Sequence, residues 1–414
     1  MEVAKFLRCF VAMGLLLGLF ANATMAQGVR YAEPVFDEVN VTTAIPYSSA
    51  IKEGATSPTT LYLDFYEPVN DPLQARPLVI TVFGGAFVLG SRDFADMEAY
   101  CTRLAKHGYA AASIDYRLLS IFQISQKSLL RDAYMASQDV SSAVRFFKAH
   151  CEEYRIDTSR VFLLGNSAGS IAILSMLFLD ESERPAETFE APDLGPMHSS
   201  GFAEYAGFSP SVAGAVPHWG GVMDLNVISE EEYVPLCMIH GTDDTTVPYD
   251  SGYCYNGFFP NVMPFMYGSH AMVGRLDELG LSDYEFHPFE GEEHAFYLSG
   301  IGTLIEEKFD ACFGITRDFL YRHLGFPTSV SEMDEMEIQV YPNPATDRIT
   351  ISVGEAAQAA PCSMVVVDVM GREISSTTVS SPALTLDVSQ WPSGVYFLRM
   401  ERDGWCFGRK VLKR

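Results

Sequence analysis

Apolar and polar positions alternate in two distinct rhythms along this chain. Between residues 35 and 325, short apolar runs are separated by amphipathic stretches. Leu61 to Tyr66, Leu78 to Phe83, Ala110 to Asp115, Val161 to Leu164, Val212 to Pro217, Val234 to His240 and Tyr284 to His287 have the length and composition of strands. The runs from Leu78 and Val161 are continuously apolar, as central parallel strands covered on both faces require. Between them Ala136, Val140, Ala143, Val144 and Phe147 recur at helical spacing and predict a helix packed on the sheet. Strands alternating with helices predict an α/β fold, a mostly parallel sheet with helices on both faces.

Past residue 327 the rhythm changes. Pro327 to Ser331 and the acidic Glu332, Asp334, Glu335 and Glu337 have no periodicity, which predicts a linker over 328–337. Ile338 to Tyr341, Arg348 to Val353, Met364 to Val369, Leu384 to Val388, Val395 to Met400 and Lys410 to Leu412 then read as short strands between turn signals. That spacing predicts a small all-β sandwich over 338–414.

The N-terminus follows a third pattern. Lys5 and Arg8 precede an apolar run from Phe10 to Ala21, and Thr24, Met25 and Ala26 supply small residues near a cleavage position. This predicts a secretory signal peptide over 1–26, leaving 27–327 as the main domain. No later window is long and uncharged enough to span a bilayer, so no transmembrane segment is expected in the mature protein.

Composition narrows the function classes. The chain has 414 residues, 48% of them hydrophobic, and a formal net charge of −25, nearly all in the main domain. A field of that sign repels phosphate backbones, so nucleic acid is not an expected partner. Seven of the eight cysteines follow Cys9, which leaves with the signal; none has CxxC spacing. Export predicts buried thiols with one or two bridges, Cys362 and Cys406 forming a candidate pair. Without a phosphate-cradling loop, metal-ligand cluster or dinucleotide fingerprint, no cofactor or metal is expected.

The candidate chemistry lies in Gly165-Asn166-Ser167-Ala168-Gly169. GxSxG alone is a weak motif, but here a buried strand runs into it and an apolar helix leaves from Ala168. A strand, sharp turn and helix present the serine hydroxyl as a nucleophile. Ser167 then needs a base. Among nine histidines, His294 stands in a polar glycine-containing loop after the last strand, whereas His240 and His287 belong to strands and read as structural. A carboxylate must hold the imidazole, and Asp243 and Asp244 compete for this role in the turn after His240. The oxyanion formed on attack needs N–H donors. These are expected from Ala168 and from Gly85 or Ala86, in the glycine-rich loop after the Leu78 strand.

In the order Ser, Asp, His, these pieces resemble the α/β-hydrolase superfamily, and more closely its carboxylesterase branch related to hormone-sensitive lipase and feruloyl or acetylxylan esterases. Asp115-Tyr116-Arg117 and Ile156-Asp157 fit that branch over about residues 58–325. The resemblance selects Asp244, which matches the HGxxDxxVP loop, and leaves Asp243 to brace the turn. One departure is Phe83, where the branch usually has a histidine that braces the oxyanion loop. Tyr341-Pro342-Asn343-Pro344-Ala345-Thr346-Asp347, Asp368 to Arg372, Leu386 to Val388, Gly394 to Leu398 and the basic terminus from Lys410 resemble the sorting domain of type IX secretion cargo. That implies passage through the periplasm and across the outer membrane, with the secretion machinery as a partner.

The implied function is a secreted serine carboxylesterase forming an acyl-enzyme on Ser167, acting on short-acyl esters such as polysaccharide acetyl or feruloyl esters. A serine exopeptidase of the prolyl-oligopeptidase type and an inactive surface-binding protein are the competing readings. Residues 180–211 are expected to form either a wall of the substrate pocket or a solvated loop. Glu290, Glu292 and Glu293 either favour a charged His294 or form a wet surface turn.

Overall fold

The computed structural model describes residues 30–324 except 232, 256–261 and 301, and residues 338–414 except 354–361, 369–372, 380–382 and 403–404. The predicted signal peptide and linker lie outside the described residues. The chain divides into two compact units, one over Ala26–Leu324 and one containing Gly325–Arg414.

The larger unit is built on strands β1 (Val39–Ile51), β2 (Pro58–Pro68), β3 (Arg76–Val82), β4 (Ala110–Ile114), β5 (Ile156–Asn166), β6 (Gly214–His218), β8 (Leu236–Gly241) and β11 (Tyr284–Phe289). They form one eight-stranded sheet in the order β1-β2-β4-β3-β5-β6-β8-β11. β2 pairs antiparallel with β1 and β4, and all pairs from β4 to β11 are parallel. Every residue of β3 is buried, as its unbroken apolar run requires. Strands β7 (Gly221–Val222), β9 (Ser251–Tyr253) and β10 (Phe265–Gly268) make a separate three-stranded sheet. The main helices are α1 (Ala95–Lys106), α2 (Gln126–Ala149), α3 (Ala168–Phe178), α4 (Ser269–Glu278) and α5 (Glu306–Arg322).

Two features depart from the sequence pattern. β1 went unpredicted because its polar, proline-containing sequence lies at the sheet edge, with residues 40–44 exposed. α2 is buried almost throughout, although Arg131, Gln138, Arg145 and Lys148 lie along it. The cover is the 180–211 segment, which runs over the polar side of α2. Arg131 donates to the carbonyls of Glu187, Glu190 and Pro192, Gln138 to those of Leu194 and Pro196, and Lys148 to that of Ser211. The segment is therefore a strap held by its own backbone carbonyls, which satisfy donors that would otherwise be buried unpaired.

The smaller unit pairs β12 (Ile338–Tyr341), β13 (Arg348–Val353) and β16 (Ala383–Asp387) in one sheet. β15 (Glu373–Val379), β14 (Cys362–Asp368), β17 (Gly394–Arg402) and β18 (Trp405–Lys413) form the other. Ile349, Ile351, Met364, Val366, Leu398 and Val411 fill its core, as in a β-sandwich. β15 was missed because EISSTTV carries few apolar residues. The Tyr341-Pro342-Asn343-Pro344-Ala345 motif is tied to the last strand: Asn343 Oδ1 accepts from the Leu412 N–H, and Ala345 N–H donates to the Leu412 carbonyl. In the larger unit Cys101, Cys151, Cys237, Cys254 and Cys312 are free thiols, all but Cys151 buried. The side chains of Cys362 and Cys406 lie outside the described residues.

Candidate active site

β5 leads straight into the GxSxG turn. Ser167 adopts φ 51° and ψ −120°, a conformation costly for a residue with a Cβ, and α3 begins at the next residue. Two contacts hold the turn: the Ser167 N–H donates to the His218 carbonyl, and the Ser170 hydroxyl donates to the carbonyls of Gly165 and His218. Glycine at 169 lets α3 approach β3, since a Cβ there would lie 2.1 Å from the Val82 carbonyl oxygen.

The structure brings Ser167, His294 and Asp244 into one hydrogen-bonded row. His294 Nε2 is 2.9 Å from Ser167 Oγ, and its Nδ1 is 2.7 Å from Asp244 Oδ2. Nδ1 faces a carboxylate and therefore carries the proton of the neutral ring, leaving Nε2 to accept from the serine. Asp244 Oδ1 accepts from the N–H groups of Thr246 and Val247 at 2.8 and 3.0 Å. Burial alone raises the Asp244 pKa, but the hydrogen bonds from His240 and His294 outweigh it and hold the carboxyl at about 2. Asp243 is exposed, and its N–H ties the turn to the Glu292 carbonyl.

His240 has a larger part than its strand position suggested. Its Nε2 lies 3.2 Å from Asp244 Oδ2 and 3.1 Å from the Val247 carbonyl, so it faces two acceptors and carries hydrogen. Nδ1 then accepts from the Ser269 hydroxyl at 2.9 Å. Asp244 thus receives hydrogen bonds from two imidazoles. Its only trace in the sequence is its spacing, four residues ahead of Asp244.

Of the acidic residues around His294, Glu290 is exposed and the other two are otherwise engaged. Glu292 pairs with Lys308 at 2.5 Å and Glu293 accepts from the Thr245 hydroxyl at 3.3 Å. Trp219 supports the base instead, fully buried with its ring 6.1 Å from the His294 ring in an edge-on contact.

The loop after β3 holds positive φ at Gly85, Ala86 and Phe87. At Gly85 (φ +130°) a Cβ would meet the Leu89 carbonyl oxygen at 2.0 Å, so the loop closes only on glycine. Phe83 stacks on Tyr116 with centroids 4.3 Å apart and planes 22° apart, and the Tyr116 hydroxyl donates to the Phe83 carbonyl at 3.1 Å. An aromatic stack therefore braces the loop that lacks the expected histidine.

Ser167, Ala86 and Ala168 line a cavity of about 40 Å³ whose other walls, including Phe87, Leu129, Ile171 and Met266, are chiefly apolar. Gly85 and His294 are not among its lining residues, so of the two loop candidates Ala86 is the one that reaches it. No strap residue lines this cavity. For a metal, Cys237, Glu285 and His287 bring ligand atoms within 4.8 Å of one another, but Glu285 already accepts from Arg322 at 3.1 Å.

Residues 63–192, from β2 through the elbow into the strap, match the BD-FAE family. Residues 339–414 match the secretion system C-terminal sorting domain. The larger unit has an α/β-hydrolase fold, and the smaller one matches a sorting domain of the type IX secretion kind. A probable isoprenylcysteine alpha-carbonyl methylesterase of Arabidopsis thaliana is 27% identical to this chain over 219 residues, 46% of this chain and 42% of the relative. Esterase LipC of Mycobacterium tuberculosis is 30% identical over 132 residues, 32% of this chain and 30% of the relative. The chain thus spans less than half the length of the curated relatives it matches. Among solved structures, Thermogutta terrifontis esterase 2 phosphorylated by paraoxon has a TM-score of 0.48 at 20% identity, covering 70% of this chain and 96% of that one. A sorting domain of this kind addresses the chain through type IX secretion to the cell surface or the medium. Among the described residues no helix is long and apolar enough to cross a membrane.

Proposed function

We propose that this chain is a secreted serine carboxylesterase acting on short-acyl carboxylic esters. The observation that carries this reading is the unbroken row from Ser167 Oγ through His294 to a buried Asp244, beside an apolar cavity. Ser167 Oγ attacks the ester carbonyl while its proton passes to His294 Nε2, and the oxyanion is held by the N–H groups of Ala168 and Ala86. Collapse breaks the bond to the alcohol, which leaves with the proton from His294. Water then gives a proton to the same nitrogen as its oxygen bonds to the acyl carbon, and collapse breaks the bond to Ser167 Oγ, which takes the proton back from His294 as the acid leaves. Asp244 stays charged throughout and stabilises the imidazolium.

The cavity beside Ser167 is small, about 40 Å³, and chiefly apolar. That favours acetyl over feruloyl esters, with acetylated polysaccharides among the natural candidates. The match to BD-FAE and the curated esterases supports the same chemistry. We read residues 27–327 as the catalytic domain, 328–337 as the linker, and 338–414 as the domain that engages the secretion machinery after the 1–26 signal is removed.

The test is labelling by a fluorophosphonate probe together with hydrolysis of p-nitrophenyl acetate. Ser167→Ala should abolish labelling and lower kcat by a factor on the order of 10⁵ to 10⁶. Wild-type protein that neither labels nor hydrolyses any of acetyl, butyryl or feruloyl esters refutes the proposal. Cleavage of peptide p-nitroanilides alone would favour the exopeptidase reading.

A further inference from the structure

A second cavity of about 290 Å³, some seven times the volume of the first, lies beside the Ser167 cavity. Leu130, Leu179, Val222 and Val227 give it aliphatic walls, and Glu183 and Pro185 are contributed by the strap. Among the described residues Met223 alone lines both cavities. The two follow one another along the same helices. Ile171 faces the inner one and Ser175 and Leu179 the outer one, at successive turns of α3 and the residue after it, while consecutive Leu129 and Leu130 of α2 divide in the same way.

On the esterase reading, the inner cavity is assigned to the acyl group. The leaving alcohol must depart beside His294 Nε2 to receive its proton, and His294 does not line the cavity. Ser167, Ala86 and Ala168 do, which assigns the carbonyl carbon and its acyl tail to it on that reading. An acyl chain that outgrows this space meets Met223, an unbranched side chain with three rotatable bonds that adapts readily.

Resting on the esterase reading, we propose that the outer cavity is an acyl-extension subsite for medium-length unbranched acyl chains, and that Met223 is the partition setting how far a chain can reach. The position of Met223 follows from close packing, since a Cβ on Gly220 would lie 2.4 Å from Ser170 Cβ, pinning the segment ahead of Met223 against α3. The strap, which touches no part of the inner cavity, contributes to specificity at the outer one.

The experiment measures kcat/KM for p-nitrophenyl acetate, butyrate and octanoate in the full mature chain. Met223→Ala should raise the octanoate-to-acetate ratio by about tenfold or more, within the range that single methylene-scale changes in apolar pockets produce. Met223→Leu, a volume-conserving change that should fold, should raise it in the same direction by less. Leu179→Trp added to Met223→Ala should return the ratio toward wild type by filling the outer cavity, an effect that general loosening at Met223 would not give. A ratio unmoved by both Met223 variants, or a raised ratio that Leu179→Trp leaves in place, overturns the inference while the esterase reading stands. Absence of turnover on every ester, with no fluorophosphonate labelling, brings down both.

Discussion

The elbow at Ser167 and the strap over α2 flank the same site by opposite means. At the elbow everything is local: β5, two glycines and α3 are contiguous, and backbone geometry alone presents the hydroxyl. Along α2 everything is distant, with buried Arg131, Gln138 and Lys148 answered by carbonyls from about 56 to 63 residues downstream. The elbow therefore tolerates no added atom, whereas the strap depends on polar groups that are costly if left unpaired. Nucleophile geometry is a short-range property here, and the helix supplying Leu129 to the cavity wall is held by long-range ones.

The largest expected effect disables the chemistry while leaving both regions intact. Asp244→Asn keeps the shape but loses the anion and its hold on the His294 tautomer, and kcat should fall by about 10⁴. The same variant carries a pH signature in melting experiments. Asp244 ionises at about 2 in the fold, below its ordinary value, so its stabilisation is full above about pH 4 and is lost as pH falls toward 2. The stability gap between wild type and variant should close over that window.

Gly169→Ala tests the elbow directly. With its Cβ 2.1 Å from the Val82 carbonyl, α3 must move off β3, at a cost of about 3 kcal/mol in stability. Denaturant unfolding should report that loss, and fluorophosphonate labelling should slow as Ser167 shifts. Arg131→Ala tests the strap. It strands three carbonyls and the Glu53 carboxylate that Arg131 holds at 2.9 Å, for a cost of about 2 kcal/mol. Limited proteolysis should then nick 180–211 in the variant before the wild type, while Ser167 still labels. Equal nicking in both would show that the strap does not depend on Arg131.

The smallest effect sharpens what burial on α2 costs. Asp132 is fully buried, and burial pushes its carboxyl up to about 8, against the pull of Arg117 and with Glu53 and Asp139 adding to the rise. Folding therefore takes up a proton between about pH 4 and 8, and wild-type stability falls as pH rises through that interval. Asp132→Asn should match the wild-type melting temperature near pH 4 and exceed it by a few degrees at pH 8.

Much of this was legible along the chain. The apolar runs of β3 and β5, the helical spacing in α2 and the turn at Ser167 depend on contiguous residues, and periodicity reads contiguous residues well. Asp244 was separable from Asp243 by motif resemblance, and the fold supplies the physical reason: one is buried with four hydrogen bonds, the other exposed. β1 and β15 escaped because edge and polar-faced strands lack the apolar signature. The role of His240 escaped because a histidine ending a strand does not reveal which carboxylate it will meet.

The sequence by itself determined an α/β body with a serine at a strand–turn–helix elbow and a small β-sandwich, since each follows from local pattern and turn chemistry, while motif resemblance supplied the hydrolase and sorting-domain readings. Only the tertiary structure decided that Phe83 stacks on Tyr116 to brace the loop, that the strap pairs with α2 rather than lining the inner cavity, and that Met223 stands between two cavities. Those are contacts between residues far apart in the chain, chosen by packing and by the need to satisfy buried polar groups, and no local period encodes them.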